Sequence, residues 1–492
     1  MKHTLLMERV CGQMRLAVIE ENKLCELIVE RPGHPDSLTG NLYLGRVENV
    51  LPGMNAAFVN IGCEKNAFLS AGDIAVGDRA LTQSLSDEHI EKLVRPGQDV
   101  LVQVTKAATG EKGPRVSTHI TLPGRSLVLL SEVEYVGVSR KITDERERAR
   151  LSAFLRERLA GSGMGAIART AAEGVPPEEL EAELTRLQGH WKAIAERARH
   201  GLAPRLIHDD QSLPLRVVRD RLTADTEALW VDDPELYEEM RGLAGALAPQ
   251  WSDAVRLHDT STPLFDIYRV DEQLDRALCR MVHLKSGGTL VIDETEALTV
   301  IDVNTGKYIG KGDLEETIYR NNLEAAQTLM RLLRLREIGG IVIVDFIDMQ
   351  GAAHKQGLLA ELRRLARLDR NAVNVLGLTG LGLVEMTRKK ARQPLNRQLM
   401  HTCPLCGGSG ETPSLETAAR RIQREIWRRR RSGDGSALLV EAATPLVEAL
   451  EKLGVPEDWK VYAHSAGDLK GGAHRISPVD ESRLSAGTRL LK

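Results

Sequence analysis

The sequence has few aromatic residues and lacks long apolar runs. Phe, Trp and Tyr together make up only 3% of the 492 residues, so each aromatic position is informative. The first residues, MKHTLLMERV, lack the apolar core of a secretory signal, and no apolar run is long enough to cross a bilayer. These absences argue against a secreted or membrane-spanning protein and predict a cytoplasmic one.

Neither a charge excess nor a disulfide pattern is present. The 66 Lys and Arg residues nearly balance the 69 Asp and Glu residues, so any attraction to nucleic acid must come from local basic clusters. The six cysteines share one motif only, formed by Cys403 and Cys406. This is not the pattern of a disulfide framework.

Two short apolar runs each end in a carboxylate. LTVIDVNTG carries Asp302 and, two residues later, Asn304, whereas IVIVDFIDM carries Asp345 and Asp348. Both runs predict buried β-strands, and the segment between them predicts a helix capped by Asp313. A strand–helix–strand unit makes the two strands neighbours in one sheet, so their acids can meet in space.

An acidic side chain inside an apolar strand is costly to desolvate unless its charge is compensated. Mg²⁺ would compensate it, because Mg²⁺ accepts one or two carboxylates and completes its shell with waters and a phosphate. The alternative is that Asp302 and Asp345 end their strands and bind turn amides. Two such strands flanking one helix favour the metal site.

Short strands with glycine-rich turns predict a small closed β-barrel between residues 38 and 120. The stretches GRVENVLPG, AFVNIG, AFLS and GQDVLVQV resemble the OB-type RNA-binding barrel. Such a barrel would present Phe58 and Phe68 for base stacking and Lys112 for phosphate contacts. The alternatives are core packing for the phenylalanines and an ordinary solvated charge for Lys112.

Residues 121–215 combine two helical segments with a stretch of small residues, GMGAIARTAAEG. Arg169 and Thr170 end a short apolar strand there and face glycines. A guanidinium, a hydroxyl and free backbone amides could hold a terminal phosphate, although an ordinary surface Arg–Thr pair gives the same pattern.

The first 36 residues alternate like strands but are too few to fold alone, so we expect them to pair with a later segment. Residues 216–281 are the plausible partner. They predict a strand (RVVRDRLT), a helix (ELYEEMRGLAGALA), a strand (AVRLHDT) and an amphipathic helix.

After residue 400, CPLCGG places Cys403 and Cys406 at zinc-knuckle spacing. The pair supplies two of four ligands, so the ion would be shared with a second chain, or His401 would contribute, or no metal binds. A redox pair is the competing interpretation, but no thioredoxin-like βαβ pattern surrounds it. The next helix, AARRIQREIWRRRRS, is strongly basic, and the sequence assigns it no function.

Together these stretches resemble the ribonuclease E/G family. The most specific are ALTVIDVNTG, NNLEAA, RLREIGGIVIVDFIDM, GLVEMTRK and CPLCGG; the resemblance spans essentially residues 1–412, and the length is that of the shorter members. It implies a multidomain α+β fold. In that fold an OB-type barrel (38–120) and a 5′-sensor region (121–215) are inserted into an RNase H-like subdomain (1–37 with 216–281). A DNase I-like α/β catalytic domain (282–400), a zinc-link (401–412) and a small C-terminal domain (413–492) follow.

The resemblance also implies an activity. The protein would be a Mg²⁺-dependent endoribonuclease specific for single-stranded RNA, stimulated by 5′-monophosphate ends, and active in rRNA and tRNA processing and mRNA decay. Its products would carry 5′-phosphates and 3′-hydroxyls, and DNA is not an expected substrate. Two other classes remain open: a non-catalytic RNA-binding regulator, and a metal-dependent phosphodiesterase acting on DNA or small nucleotides.

The resemblance assigns roles to particular residues. They are Asp302, Asp345 and Asn304 at the catalytic Mg²⁺ site; Phe58, Phe68 and Lys112 as RNA contacts; Gly124, Val128, Arg169 and Thr170 as the 5′-phosphate pocket; and Cys403 and Cys406 as ligands of a Zn²⁺ ion shared by the two protomers of a homodimer, with a higher oligomer as the alternative.

Overall fold

The computed structural model describes residues 2–31, 38–75, 89–108, 112–209, 212–305, 314–432, 437–485 and 487–491. The chain divides into two compact units, Met1–Leu395 and Asn396–Lys492. Both units mix helices with sheets. The expected multidomain α+β class is therefore confirmed.

Three antiparallel strands open the first unit: β1 (His3–Val10), β2 (Gln13–Glu20) and β3 (Lys23–Glu30). Both connecting turns, Cys11-Gly12 and Glu21-Asn22, are two residues long, and both residues of each turn have positive φ. Such turns match the right-handed twist of a hairpin, so they bring the strands directly together.

The barrel segment follows, with β4 (Leu42–Leu51), β5 (Ala56–Asn60), β6 (Ala67–Ser70), the short helix α1 (Ile90–Leu93), β7 (Asp99–Lys106) and β8 (Arg115–Ser117). Its strands pair in the order β4-β5-β6-β8-β7, and β4 also pairs with β7. That last pairing closes a five-stranded barrel around a core that includes Val47, Leu69 and Val102. The predicted closed barrel is confirmed.

The next segment contains β9 (Thr121–Pro123), β10 (Leu127–Leu130), β11 (Val136–Val138), α2 (Glu145–Leu159), β12 (Gly165–Ala168) and α3 (Pro177–Arg199). Its sheet has the order β11-β12-β10-β9. Leu151 and Leu155 of α2 and Leu180 and Leu184 of α3 share one buried core with it. The two helices that the apolar periodicity predicts are both present.

The chain then returns to the N-terminal strands. Its elements are β13 (Arg205–His208), α4 (Leu213–Asp220), β14 (Thr226–Val231), α5 (Pro234–Leu247), β15 (Val255–Leu257), α6 (Leu264–Ile267) and α7 (Val270–Leu278). β14 lies parallel to β1 in a sheet of order β15-β14-β1-β2-β3, so the expected pairing of the first strands with this segment is observed. The strand predicted at RVVRDRLT is wrong, because Ser212 caps a helix there.

A six-stranded sheet completes the first unit. This stretch contains β16 (Met281–His283), β17 (Thr289–Glu294), β18 (Leu298–Asn304), α8 (Leu314–Leu335), β19 (Gly340–Asp345), α9 (Ala352–Ala366), β20 (Val373–Leu378) and β21 (Val384–Arg388), and the short helix α10 (Leu395–Leu399) begins at its last residue. The strand order is β16-β17-β18-β19-β21-β20, and only the β18–β19 pair is parallel. Asp313, the expected cap of α8, lies outside the described residues.

The second unit contains α11 (Leu415–Arg431), β22 (Ala437–Ala442), α12 (Thr444–Leu453), β23 (Val461–Ser465), β24 (His474–Val479) and β25 (Arg489–Leu490). The strands pair in the order β24-β22-β23-β25. Ile422 and Ile426 of α11 and Leu446 and Leu450 of α12 pack in one core with the sheet. Among the described residues of the whole chain, no helix has the length and apolar character that a membrane crossing requires.

Candidate active site and nucleic-acid interface

Asp302 and Asp345 are registered partners on the adjacent parallel strands β18 and β19. Side chains at paired positions of neighbouring strands point to the same face, and the strands lie about 4.8 Å apart. Asn304 donates a hydrogen bond from Nδ2 to Asp302 Oδ2 at 2.7 Å. The three side chains predicted at this site therefore lie on one face of one sheet.

These carboxylates are exposed, not buried. Along β18 the residues alternate, so that Ile301 and Val303 point into the core while Asp302 faces outward. The same outward face carries Val300 and Ile341, which are 40% and 49% exposed. The expectation of two buried strands is therefore wrong. Desolvation does not force a cation onto this site; the feature that favours a cation is the pairing of two carboxylates side by side.

Asn322 of α8 fixes the chain just beyond β19. Its side chain is fully buried, and its amide makes two hydrogen bonds to the backbone of Ile347. Nδ2 donates to the Ile347 carbonyl at 2.8 Å, and Oδ1 accepts from the Ile347 N–H at 3.1 Å. Ile347 lies between Asp345 and Asp348, so this contact positions both acids. Sequence reasoning missed Asn322, since NNLEAA fits an ordinary polar helix segment.

Glu315 of the same helix holds the far end of this loop. Its Oε1 accepts from the Gly351 N–H at 2.8 Å and lies 3.3 Å from His354 Nδ1. The hydrogen bond from the Gly351 N–H is the main cause of a lowered pKa at the Glu315 carboxyl. His354 stacks on Tyr319 with ring centroids 4.5 Å apart. Helix α8 therefore fixes residues 346–351 at both ends.

The described residues contain no group of three or more His, Cys, Asp or Glu side chains placed to hold a metal ion. Mg²⁺ in phosphate-processing sites commonly takes only one or two protein carboxylates and fills its shell with water and substrate oxygens. The Asp302–Asp345 pair fits that donor set.

Phe58 and Phe68 are directly paired on β5 and β6 of the barrel. Their ring centroids lie 6.1 Å apart, with ring planes at 72°. Both side chains are partly exposed and lie outside the buried core of the barrel, which argues against the core-packing alternative. Together they form a small aromatic surface of the type on which bases stack.

Lys112 precedes a close approach between two segments of the barrel. The Phe68 N–H donates to the Pro114 carbonyl at 2.7 Å, and a Cβ on Gly113 would lie 2.1 Å from the Asn66 carbonyl oxygen. Only glycine fits there, and this contact brings the exposed Lys112 to the side of the barrel where β6 begins.

Arg169 is held by two acceptors. Nη1 donates to the Gly124 carbonyl at 2.6 Å, and Nη2 donates to Asp220 Oδ1 at 2.7 Å. Gly124 itself has no room for a side chain, because a Cβ there would lie 2.2 Å from Glu183 Oε1. Val128 lies on β10, paired with Ile167 of β12 two residues before Arg169. The Arg169 guanidinium, the turn at Gly124 and strand β10 with Val128 are therefore joined in the same part of the fold.

Thr170 opens a short 3₁₀ segment, and its Oγ1 lies 3.1 Å from Ser139 Oγ. Glu147 of α2 supports the chain that follows, since its Oε1 accepts from the Gly174 N–H at 2.9 Å. Arg150 donates to both oxygens of Glu147, at 2.7 and 2.8 Å. The hydrogen bonds from Arg150 and Gly174 lower the pKa of Glu147 to about 2.

Asp220 is the second residue that sequence reasoning missed. Besides Arg169, its carboxylate accepts from Arg219 Nε and Nη2, at 3.1 and 3.0 Å. Burial raises the pKa of Asp220, but the charges of Arg219 and Arg169 outweigh it, so the net pKa is lowered. A signal was present in RVVRDRLT, where one acid is surrounded by arginines, although nothing local indicates Arg169 as its partner.

Cys403 and Cys406 lie in a turn that precedes α11. The Gly407 N–H donates to the Cys403 carbonyl at 2.9 Å, and the Gly410 N–H donates to Cys406 Sγ at 3.4 Å. The hydrogen bond from Gly410 is the first cause of a lowered pKa at the Cys406 thiol. Within the described chain, His401 does not complete a three-ligand group with the thiols. The turn therefore offers half of a tetrahedral zinc shell.

The chain is similar to the members of one known protein family. The model of the Ribonuclease E/G family matches residues 121–391. Ribonuclease G of Haemophilus influenzae strain Rd is 41% identical over 428 residues, which cover 86% of this chain and 87% of that protein. Ribonuclease G of Escherichia coli K12 is 40% identical over 453 residues, covering 91% and 92%. Ribonuclease E of Escherichia coli K12 is 36% identical over 429 residues, covering 87% of this chain and 40% of that protein.

The chain belongs to the ribonuclease E/G family, and it is an endoribonuclease. Its identity to the two ribonuclease G sequences exceeds that to ribonuclease E, and it extends over nearly their whole length. The resemblance found in the sequence motifs is thereby confirmed.

Proposed function

We propose that this endoribonuclease cleaves single-stranded RNA with Mg²⁺ held by Asp302 and Asp345, leaving a 5′-phosphate and a 3′-hydroxyl. The observation that carries the proposal is the registered pair of carboxylates on β18 and β19, with Asn304 bonded to one of them. Two carboxylates together with phosphodiester oxygens provide the oxygen ligands that Mg²⁺ prefers.

Within this proposal the protein side chains have separate roles. Bound Mg²⁺ supplies Lewis-acid activation of the scissile phosphate and of the attacking water. Asn304 donates to Oδ2 of Asp302 and would thereby fix the orientation of this carboxylate toward the cation. Asn322 holds the backbone beyond Asp345 and thereby limits the movement of that carboxylate. The exposed sheet face lets an extended RNA strand approach both acids.

The second part of the proposal concerns the 5′ end of the RNA. Arg169 and Thr170, with Gly124 and Val128, form a pocket for a 5′-monophosphate. The two acceptors on Arg169 orient its remaining N–H groups, and charge-assisted hydrogen bonds from guanidinium to phosphate are strong. A pocket built for one phosphate penalises the added charge and bulk of a triphosphate. Engagement of this pocket would stimulate cleavage.

The barrel would guide the RNA by Phe58, Phe68 and Lys112. The edge-to-face pair of rings offers stacking surfaces that every base can use, and an exposed lysine attracts phosphates without sequence preference. This arrangement supports single-strand specificity, since bases within a duplex are not available for stacking on a protein ring.

Cys403 and Cys406 would join two protomers. Because one turn presents two thiols, a second copy of the same turn would complete the four-ligand shell of a structural Zn²⁺ ion. Such a shared ion is compatible with a two-fold homodimer. The proposed physiological role, cytoplasmic processing of rRNA and tRNA precursors and decay of mRNA, is based on the family resemblance.

The test compares cleavage of one A/U-rich single-stranded RNA carrying either a 5′-hydroxyl or a 5′-monophosphate, with Mg²⁺ and with EDTA. We expect cleavage only with Mg²⁺ and faster on the monophosphate. A matched DNA oligonucleotide should remain intact. Equal rates on both RNAs would remove the 5′ pocket from the proposal, and tight binding without cleavage would replace the nuclease with an RNA-binding regulator.

A further inference from the structure

One face of α11 carries a row of exposed cationic and aromatic side chains. Arg420, Arg424, Trp427 and Arg431 follow one another at spacings of four, three and four residues, which places them on the same side of a helix. All four are exposed, and Trp427 is 45% accessible. The row lies outside residues 121–391, the part of the chain that the family model matches.

A cavity of about 620 Å³ opens beside this row, between α11 and residues 455–459. Trp427 lines one wall and Trp459 the other, with Arg420, Gln423 and Arg424 at its edge. Its volume falls within the range of about 300–1,000 Å³ that is usual for small-ligand sites. Two indole rings at one cavity give it the aromatic surfaces on which a nucleobase stacks.

The charge of this groove favours an anionic ligand. Arg420 lies 3.6 Å from Glu416, an exposed ion pair that is weak and easily exchanged. Arg431 lies over the Trp427 ring at 5.0 Å. Arg424 donates to the Arg420 carbonyl and has no ion pair with any described carboxylate. The row therefore carries three arginines and only one neighbouring glutamate, so its charge is net positive.

We infer that the groove between α11 and residues 455–459 is a second binding site for single-stranded RNA. A base stacks on Trp427 and Trp459, and the phosphates on either side lie along Arg420 and Arg424. Cation-lined grooves with aromatic surfaces are the common solution for binding unpaired strands. The inference rests on RNA being the substrate of this endoribonuclease, but it does not depend on where the RNA is cut.

The test measures binding by the full chain in Mg²⁺-free buffer, which leaves the proposed Zn²⁺ in place, with a fluorescein-labelled, A/U-rich 20-nucleotide RNA that carries a 5′-hydroxyl. The variants are Trp427→Ala and the double variant Arg420→Gln/Arg424→Gln. The matched control is Arg421→Gln/Arg428→Gln, which removes the same charge from an exposed part of α11 that does not line the cavity. Circular dichroism verifies that each variant is folded.

We expect Trp427→Ala to raise the dissociation constant by about fivefold or more, the effect of losing one base–aromatic stack. Trp427→Phe should retain most of the affinity. The Arg420/Arg424 variant should weaken binding and lower the slope of log K against log salt by about 1.4, or about 0.7 for each lost phosphate contact with a single strand. The control should leave both quantities nearly unchanged.

Unchanged affinity in Trp427→Ala would overturn the inference, as would equal losses in the two double-arginine variants, which would indicate a general charge effect. A change in sedimentation coefficient with unchanged RNA affinity would assign the groove to a protein contact instead. Because binding is measured without Mg²⁺, failure of the proposed cleavage mechanism would not affect these outcomes.

Discussion

The side-chain amide of Asn322 pairs with the backbone of Ile347 as a neighbouring strand would, by donating to its carbonyl and accepting from its N–H. Ile347 lies two residues after Asp345 and one before Asp348. A helix side chain thus takes the place of a strand partner at the point where β19 ends. In the proposed mechanism Asn322 would be a positioning residue, because both ends of its amide are used by the Ile347 backbone.

Asn322→Asp should lower kcat by about tenfold or more and raise the Mg²⁺ concentration needed for half-maximal rate, as for residues that orient metal ligands. The Asp side chain keeps the volume but cannot donate to the Ile347 carbonyl. The measurement is a Mg²⁺ titration of single-turnover cleavage, with RNA affinity determined in EDTA. Asn321→Asp is the matched control, because no side-chain hydrogen bond joins Asn321 to this loop among the described residues. A variant with normal Mg²⁺ dependence but a lower melting temperature would show a merely structural role.

Asp302→Asn and Asp345→Asn should each reduce cleavage by at least about a hundredfold, the upper end of the effect for residues that support a metal ligand. RNA binding in EDTA should be nearly unchanged, because each substitution keeps the side-chain volume. Asp293→Asn on β17 is the matched control, an acid paired instead with Arg280 at 2.6 Å. Equal losses of binding and rate in the two test variants would contradict their assignment as metal ligands.

Arg169→Gln should bring the ratio of kcat/KM for 5′-monophosphate over 5′-hydroxyl RNA close to one. Asp220→Asn should lower that ratio by about fivefold, corresponding to about 1 kcal/mol for one orienting hydrogen bond. Cleavage of the 5′-hydroxyl RNA serves as the internal control and should be unaffected. A higher ratio in Asp220→Asn would mean that this carboxylate competes with the phosphate for Arg169 instead of orienting it.

The lowered pKa of Glu147 predicts that this residue contributes to stability in a pH-dependent way. Its pKa in the folded chain, about 2, lies below its ordinary value of 4.5. The stabilisation is therefore fully present above pH 4.5 and is lost as the pH falls toward 2. Glu147→Gln should lower the free energy of unfolding at pH 7 by less than about 1 kcal/mol, as expected for a pair near the surface. Urea unfolding at pH 7 and pH 3 should show the difference shrinking at the lower pH. A difference that grows would contradict this sign.

If two protomers share each four-thiolate shell, as proposed, metal analysis of the purified protein should find about half a Zn²⁺ ion per chain. Cys403→Ser should remove the ion and shift sedimentation toward the monomer. Cys11→Ser, which alters another exposed thiol, should change neither. One whole ion per chain would instead indicate a closed site within a single protomer.

The local elements around the acids could be predicted from the sequence, whereas their register could not. β-Branched runs and helical periodicity indicate β18, α8 and β19, and the crossover makes the strands parallel neighbours. No local pattern states that Asp302 faces Asp345, since a slip of one residue would move every side chain to the other face. The Asn322–Ile347 contact joins residues 25 positions apart and is likewise absent from any local signal.

Two expectations failed for physical reasons. The valines of RVVRDRLT favour a strand, but Ser212 accepts a hydrogen bond from the Leu215 N–H, and Pro214 fits the first turn, so a helix forms. Composition also made β18 and β19 look buried on both faces. Val300 and Ile341 lie on the exposed face with the acids. The sequence does not indicate this, because it does not show which elements pack on each face of the sheet.

If Asp302 and Asp345 are the catalytic acids, their exposed position implies that the cleavage chemistry and the selection of the RNA are carried out by different parts of the protein. In the proposed mechanism these two acids would bind the RNA backbone through the cation, and among the described residues they lie on an exposed sheet face, not in a base-shaped cleft. Selection of where to cut must then depend on features recognised at a distance, such as the 5′ end, the path over the barrel or the folding of the RNA itself. Evolution could retarget such an enzyme by altering its outlying contacts while leaving its chemistry untouched.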